Sequence, residues 1–298
     1  MTVLLLRMMC RYDIDNEEPG PRHIVMKTSI IVSFYERLNY LKACLDSLRL
    51  NAGDFDEIVI ADDGSGESCV KELRELITLY DFPVVHAWHP DEGFRLAASR
   101  NNGIKHAKGE YLIFLDCDFV VLPGTIRCHL NAARRGRFVA GFCKYLGEKQ
   151  TNTIFQTGVS GRLLEGVYQS LPERPILKDH RSFVRHRILY KLHIASARKQ
   201  RCSSHFSIHR TDMEYVNGYD ENFVGWGGED EDLAIRFAKA GFQGKSIMRE
   251  AKALHLWHPS EIRDRDWENG PNIEYIRRKH IPRFCHRGLT ETGSEGAE

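Results

Sequence analysis

The chain has no long apolar run. Its most hydrophobic stretch near the start, Val3 to Leu6, is interrupted by Arg7. That falls far short of the roughly 20 apolar residues a membrane-spanning helix needs, and it is too short for a signal-peptide core. No CxxC pair occurs among the eight cysteines, which run from Cys10 to Cys285, so neither a zinc module nor a thioredoxin-like redox motif is indicated. Scattered thiols in a chain of this size are expected to be free and buried, in a reducing, cytoplasmic setting. An excess of one charge is also missing. Lys plus Arg number 42 against 41 for Asp plus Glu, which removes the global electrostatic argument for nucleic acid as a partner. There is no internal repeat or low-complexity tract. What remains is 298 residues, 42% hydrophobic and 28% charged, enough for one large α/β unit or about two compact ones.

Residues 1–26 contain an acidic stretch broken by Pro and Gly (Asp13 to Pro21) and read as a loosely ordered leader, with the fold starting near Lys27. Residues 286–298 are small and polar and read as a disordered tail. Between these limits β-branched and helical patterns alternate. Ser29 to Ser33 is a strand, and Leu38, Leu41, Leu45 and Leu48 mark a helix. Glu57 to Ala61 is a second strand and Val70 to Ile77 a second helix. Pro83 to His86 gives a third strand, Phe94 to Lys108 a helix despite Gly103, and Tyr111 to Leu115 a buried strand. This alternation predicts a mostly parallel, Rossmann-like sheet, with ligands bound beyond the carboxyl ends of its strands. One domain over 27–285 follows, made of a half at 27–142 that binds the ligand's nucleotide-like part and a half at 143–285 that carries acceptor and catalytic groups, with weak periodicity from Gly141 to Arg210.

Chemistry is therefore expected just after each strand. The second strand ends in Asp62-Asp63-Gly64-Ser65 and the fourth in Asp116-Cys117-Asp118. Each pair is compatible with a simple turn, but carboxylates beside a buried strand are costly without a cation or hydrogen-bond partners, and hard oxygen ligands suit Mg²⁺ or Mn²⁺ on a nucleotide's phosphates. Arg100, in Ala97 to Asn102, fits a phosphate or a structural carboxylate equally well. Gly225-Trp226-Gly227-Gly228 leads into Glu229-Asp230-Glu231-Asp232 and a helix ending near Gly241. One or two of the four acids are accounted for as helix starters; glycines for close approach, a stacking tryptophan and a general-base carboxylate account for the set. His255 and His258 follow a final apolar segment. Three residues apart on a strand, they are expected to face opposite sides, so that one of them reaches a given metal; imidazole with carboxylate favours Mn²⁺ over Ca²⁺.

Taken in order, SIIVSFYERLNYLKACLDSL, ADDGS, RNNGIKHAKGEYLIFLDCD and NGYDENFVGWGGEDEDLAIR resemble the inverting family 2 glycosyltransferases. The last block is similar to the galactosyltransferase segment of β-1,4-galactosyltransferases and bacterial chondroitin-polymerase-type enzymes. The resemblance covers about Lys27 to Pro259 and implies the GT-A fold, a nucleotide-sugar donor, UDP-linked by preference, and Mn²⁺ or Mg²⁺. It implies donor contacts at Ser33, Tyr35, Asp62, Asp63, Arg100, Asn101, Asp116, Cys117 and Trp226. Metal ligands are implied at Asp118, with Asp116, and at His258, with His255 as the alternative. Asp230 matches the catalytic base and Glu229 a substrate contact. Ser203-Ser204, where galactosyltransferases have paired glycines, and Val224, where an aromatic is frequent, leave the donor sugar open.

Two other classes compete with this reading. A nucleotidyltransferase would carry a glycine-rich loop after its first strand, and Ser33 to Arg37 has no glycine. A non-catalytic sugar-binding module would not need both a base and a metal set. The expected acceptor is a saccharide or lipid-linked saccharide of surface polysaccharide synthesis. Residues 178–201, rich in Lys and Arg with the single acid Asp179, are either a solvated helix face or a peripheral contact with the inner membrane face.

Overall fold

The computed structural model describes residues 26–197, 202, 205–259 and 270–291. Its first half follows the hydrophobic pattern closely. Strand β1 (Thr28–Phe34) leads to α1 (Leu38–Arg49), β2 (Glu57–Asp62) to α2 (Glu67–Ile77), and β3 (Val84–Trp88) to α3 (Leu96–His106), which returns to β4 (Tyr111–Asp116). After these come β5 (Phe119–Val121), α4 (Thr125–Ala132), β6 (Arg137–Ala140), β7 (Cys143–Tyr145), α5 (Glu148–Thr157), α6 (Gly161–Ser170) and α7 (Arg174–Lys191). The chain ends with β8 (Phe206–His209), α8 (Arg210–Tyr215), α9 (Glu229–Lys239), β9 (Gln243–Ser246), β10 (Ala253–His255) and α10 (Ile273–Ile276).

Seven strands form one sheet in the order β3-β2-β1-β4-β8-β6-β9. The first four are mutually parallel, and β8 runs antiparallel between β4 and β6. Continuous apolar strands result because both faces are covered. Ile31, Val59 and Ala61 face α3, whereas Ile30, Val32, Ile58 and Ile60 face α1 and α2 through Leu41, Leu45, Leu48 and Leu73. Gly103 sits in α3 for a packing reason: a Cβ there would lie 2.9 Å from Ile31 Cγ2 and 3.0 Å from Ala61 Cβ. The helix thus lies directly on the sheet, at the expense of helix propensity.

A second sheet, β5-β10-β7, lies beside the end of β4. Its antiparallel register pairs His255 with Phe119, and Leu256 N–H donates to the Asp118 carbonyl at 2.8 Å. This small sheet brings residue 118 and residues 255–258 together.

The two halves that meet near residue 142 share one sheet, because β6 pairs with β8 and β9 from the second half. One expectation needs correction. The tail is ordered through residue 291: Thr290 N–H donates to Asn217 Oδ1 at 2.9 Å, Asn217 Nδ2 donates to the Thr290 carbonyl at 2.8 Å, and Leu289 N–H donates to the Asn217 carbonyl. Residues 292–298, like leader residues 1–25 and Ser203-Ser204, lie outside the described residues. Among the described residues, the weakly periodic stretch after Gly141 holds α5, α6 and α7.

Candidate functional site

All parallel strands of the β3-β2-β1-β4 half end on one edge, and the order changes direction between β1 and β4. That edge is where open α/β sheets bind ligands, and two clusters of charged side chains meet there.

The first cluster is Asp118, His255 and His258, whose ligand atoms lie within 4.8 Å of one another. Asp118 Oδ1 is 3.6 Å from His255 Nε2, and Oδ2 is 3.2 Å from His258 Nε2. The strand argument that separated the two imidazoles fails because β10 stops at His255. Past that point the chain turns, and both rings reach the same carboxylate, their centroids 5.4 Å apart. Asp118 is buried, and its Oδ1 has no hydrogen-bond partner. Arg37, a residue that sequence reasoning missed, approaches Oδ2 only to 3.8 Å. Burial alone would raise the Asp118 carboxyl, but hydrogen bonding from His258 and the charges of His255, His258 and Arg37 outweigh it and hold it below the usual value. His258 in turn is raised by its hydrogen bond to Asp118. A buried oxygen lacking a partner between two imidazole nitrogens is a donor set that fits a divalent metal of the Mn²⁺ or Zn²⁺ class.

The second cluster is organised by Arg100. From α3 its guanidinium donates to Asp116 Oδ1 at 3.0 Å, to Asp230 Oδ1 at 2.9 Å and to Ser33 Oγ at 3.1 Å, with Glu229 Oε1 at 3.9 Å. Tyr219, fully buried and also missed from sequence, lies beneath it at 5.2 Å. Arg100 is thus committed to carboxylates rather than held open for phosphate. Asp116 belongs to this cluster and not to the histidine group, although only Cys117 separates it from Asp118. Burial pushes the Cys117 thiol well up, which leaves it a small apolar wall.

Glu229 and Asp230 open α9, whose N-terminal dipole favours negative charge. The preceding Gly228 has φ +97, and a Cβ there would meet Phe223 at 2.8 Å, so only glycine turns the chain into the helix. Burial, followed by the charge of Asp230, raises Glu229 to about 7. Asp230 is raised by desolvation and by Asp116 against the pull of Arg100; its side chain remains 39% exposed, against 10% for Glu229. The other acids diverge. Asp232 is fully enclosed and bonded to Arg236 Nε at 2.6 Å and to Arg278 Nη2 at 2.7 Å. Trp226 is half-exposed and lines a shallow pocket with Gly227, Gly228, Asn272 and Ile273. Asn272 fixes this turn by donating to the carbonyls of Gly225 and Gly227; no motif marks it in the sequence. Val224 is exposed beside the same turn.

At the far end of the edge, Asp62 is fully buried, accepting from Ser65 N–H at 2.8 Å and lying 2.7 Å from His86 Nε2. Asp63 accepts from Arg95 N–H and sits 3.2 Å from His89 Nε2. Asp62 thus holds the strand-end turn, and Asp63 ties it to the 89–95 loop. Tyr35 is exposed, with its hydroxyl 3.3 Å from Asp91. Asn101 is drawn away from the donor edge: its amide donates to the Tyr219 carbonyl and to Glu221, and its oxygen accepts from Tyr219 N–H. With every polar atom used in this way and no exposure, Asn101 is a scaffold residue that ties α3 to the 219–221 turn.

The family model described as Glycosyl transferase family 2 covers residues 29–194, and one described as the N-terminal domain of galactosyltransferase covers residues 184–259. The chain is 26% identical over 292 residues to chondroitin synthase of Escherichia coli, which covers 93% of this chain and 41% of that protein. It is 26% identical over 251 residues to validoxylamine A glucosyltransferase of Streptomyces hygroscopicus subsp. jinggangensis, which covers 80% of this chain and 58% of that one. The chain thus spans about half the length of these curated relatives. Among solved structures, the mannosyltransferase PcManGT of Pyrobaculum calidifontis, in complex with GDP-Man and Mn²⁺, superposes with a TM-score of 0.52 at 14% identity, over 90% of this chain and 66% of that one. GalNAc-T7, solved with UDP, GalNAc and Mn²⁺, gives 0.54 at 15% identity, over 80% and 45%. The shared architecture is the GT-A fold.

Proposed function

The chain belongs to glycosyl transferase family 2, and from that premise we propose that it moves a sugar from a nucleotide-sugar donor, UDP-linked by preference, to a hydroxyl of a saccharide or lipid-linked saccharide, inverting the anomeric centre. Surface polysaccharide synthesis is the setting that the chondroitin synthase likeness supports. The observation that carries the reading is the meeting, on one strand-end edge, of an electrostatically incomplete Asp118–His255–His258 group with an Arg100-clamped acidic pair.

Asp230 is the general base. It is the more exposed acid of the pair, and its raised pKa makes it a stronger proton acceptor than an ordinary carboxylate. It takes the proton of the acceptor hydroxyl as that oxygen attacks the anomeric carbon opposite the nucleoside diphosphate. Arg100 fixes its orientation and links it to Asp116 on the donor side. Glu229, raised toward neutrality, is partly protonated and donates a hydrogen bond to a substrate hydroxyl. Trp226 offers its exposed ring as a stacking face for a sugar. Asp118, His255 and His258 would hold a divalent cation, Mn²⁺ by ligand type, which when bound supplies positive charge to stabilise the departing diphosphate. Tyr35 and Ser33 border the nucleotide side.

Incubation of the purified protein with Mn²⁺, a panel of UDP-sugars and saccharide acceptors tests this reading. The expected product has the anomeric configuration opposite to that of the donor. A retained configuration would overturn the assignment of Asp230, and absence of transfer from any nucleotide-sugar would overturn the activity.

A further inference from the structure

Helix α7 has eighteen residues, yet Ile176 is its single buried one. Its inner face holds to the edge strand β9: His180 lies 2.9 Å from Ser246 Oγ, Arg187 donates to the Gly244 carbonyl and Lys191 to Gln243. Phe183 packs on Phe138, and the Tyr190 hydroxyl donates to the Ala238 carbonyl. At 100° per residue, Arg174, Lys178, Arg181 and Arg185 fall on the opposite side, spaced by four, three and four residues, and all four are exposed. None forms an ion pair with a described residue. Ile188 and Leu192 continue the same stripe, Leu192 is 50% exposed and Ile194, just beyond, is 70% exposed. Within the helix the only acid is Asp179.

From this stripe we infer that α7 is a peripheral docking surface for an anionic phospholipid bilayer. Four outward cations in a row, followed by an exposed aliphatic tip, are the two elements of interfacial binding: attraction to lipid phosphates, then insertion of apolar side chains between headgroups. The charge pattern disfavours self-association through this face, because two copies would bring two sets of cations together. A soluble polyanion would match the cations but leave Leu192 and Ile194 unused. Direction matters as well. Strands β9, β6 and β4 point the same way, so the Ser246 end of β9, against which His180 packs, lies on the edge that carries the site. The cations start at that edge and the aliphatic tip lies at the other. With α7 flat on a bilayer, the flank faces the lipid and the site stays open beside the surface, within reach of a lipid-linked acceptor. Arg198, Lys199 and Arg201 of the basic stretch lie outside the described residues.

Flotation of the full chain with vesicles of phosphatidylcholine alone, or of phosphatidylcholine mixed with phosphatidylglycerol, tests the inference without donor, metal or acceptor, so its outcome is independent of the transferase reading. Association is expected with the anionic vesicles at low salt and release at high salt. Combining Arg174→Gln, Lys178→Gln, Arg181→Gln and Arg185→Gln should lower the partition coefficient on the order of 10²–10³-fold at unchanged melting temperature. Leu192→Ser with Ile194→Ser should weaken binding at constant charge. Failure of the wild-type protein to float, equal binding to neutral vesicles, or a well-folded quadruple variant that still floats would each overturn the inference. Heparin binding that ignores the Leu192 and Ile194 changes, without flotation, would replace it with a soluble polyanion site.

Discussion

The two charged clusters on the site edge differ in how complete they are. Around Arg100, two carboxylates share a cationic partner at hydrogen-bond distance, Asp116 at 3.0 Å and Asp230 at 2.9 Å, with Glu229 farther off at 3.9 Å. Around Asp118, one buried oxygen has no hydrogen-bond partner, Arg37 stops at 3.8 Å, and the remaining neighbours are the imidazoles of His255 and His258. The protein bridges Asp116 and Asp230 of the first group with one side chain of its own, Arg100, and gives the buried oxygen of the second no such partner. Proximity in sequence does not decide membership, since Asp116 and Asp118 belong to different groups.

The largest effect expected from this contrast is on turnover. Asp230→Asn keeps the hydrogen bond to Arg100 but cannot accept the acceptor proton, and it should lower the transfer rate on the order of 10²–10⁴-fold with nucleotide binding intact. A rate near that of wild type, measured with saturating donor, would remove Asp230 from its role.

Next is Arg100→Gln, which leaves Asp116 and Asp230 facing each other without their shared cation. Urea unfolding should show a loss of about 3 kcal/mol, the low end for breaking a buried pair, because both acids are about a third exposed. Asp118→Asn, measured in metal-free buffer, should lose far less, and losses of equal size would erase the contrast.

Metal should then stabilise only the incomplete group. At 100-fold excess over its dissociation constant, Mn²⁺ should add about 2.7 kcal/mol to wild-type stability. His258→Ala should retain little of that gain; equal stabilisation of both proteins would place the ion elsewhere.

The smallest effect is on pH dependence without metal. The folded-state value of His258 is raised by its hydrogen bond to Asp118. Its contribution is therefore fully present below the unfolded value of about 6.5 and is lost as pH rises through the folded one. The contribution should be on the order of 1 kcal/mol, and His258→Gln should flatten that part of the stability profile.

The sheet edge was legible in sequence because β1, β2 and β4 are apolar runs buried on both faces, and their carboxylates follow without a gap. Helices α5 to α7 were harder to read. Each buries only one or two residues, so the apolar periodicity that marks a helix is weak. Both histidines join the metal group because β10 ends at His255, a boundary that alternation alone does not reveal. Arg100 was ambiguous between phosphate and carboxylate because its partner Asp230 lies 130 residues away. The resemblance implies a donor contact at Asn101, but one position along a helix from Arg100 turns a side chain by about 100°, and Asn101 bonds the 219–221 turn instead. Asn272, Tyr219 and Arg278 had no local signal, since each acts through tertiary partners.

Calorimetric titration with UDP, with and without Mn²⁺, on the wild-type, Asp118→Asn and Asp230→Asn proteins tests the central claim most directly. Wild-type and Asp230→Asn proteins should bind UDP tightly only with Mn²⁺, and Asp118→Asn should lose that dependence together with the affinity. Mn²⁺-dependent UDP binding that survives Asp118→Asn unchanged would contradict the assignment of Asp118, His255 and His258 as the donor-site metal ligands.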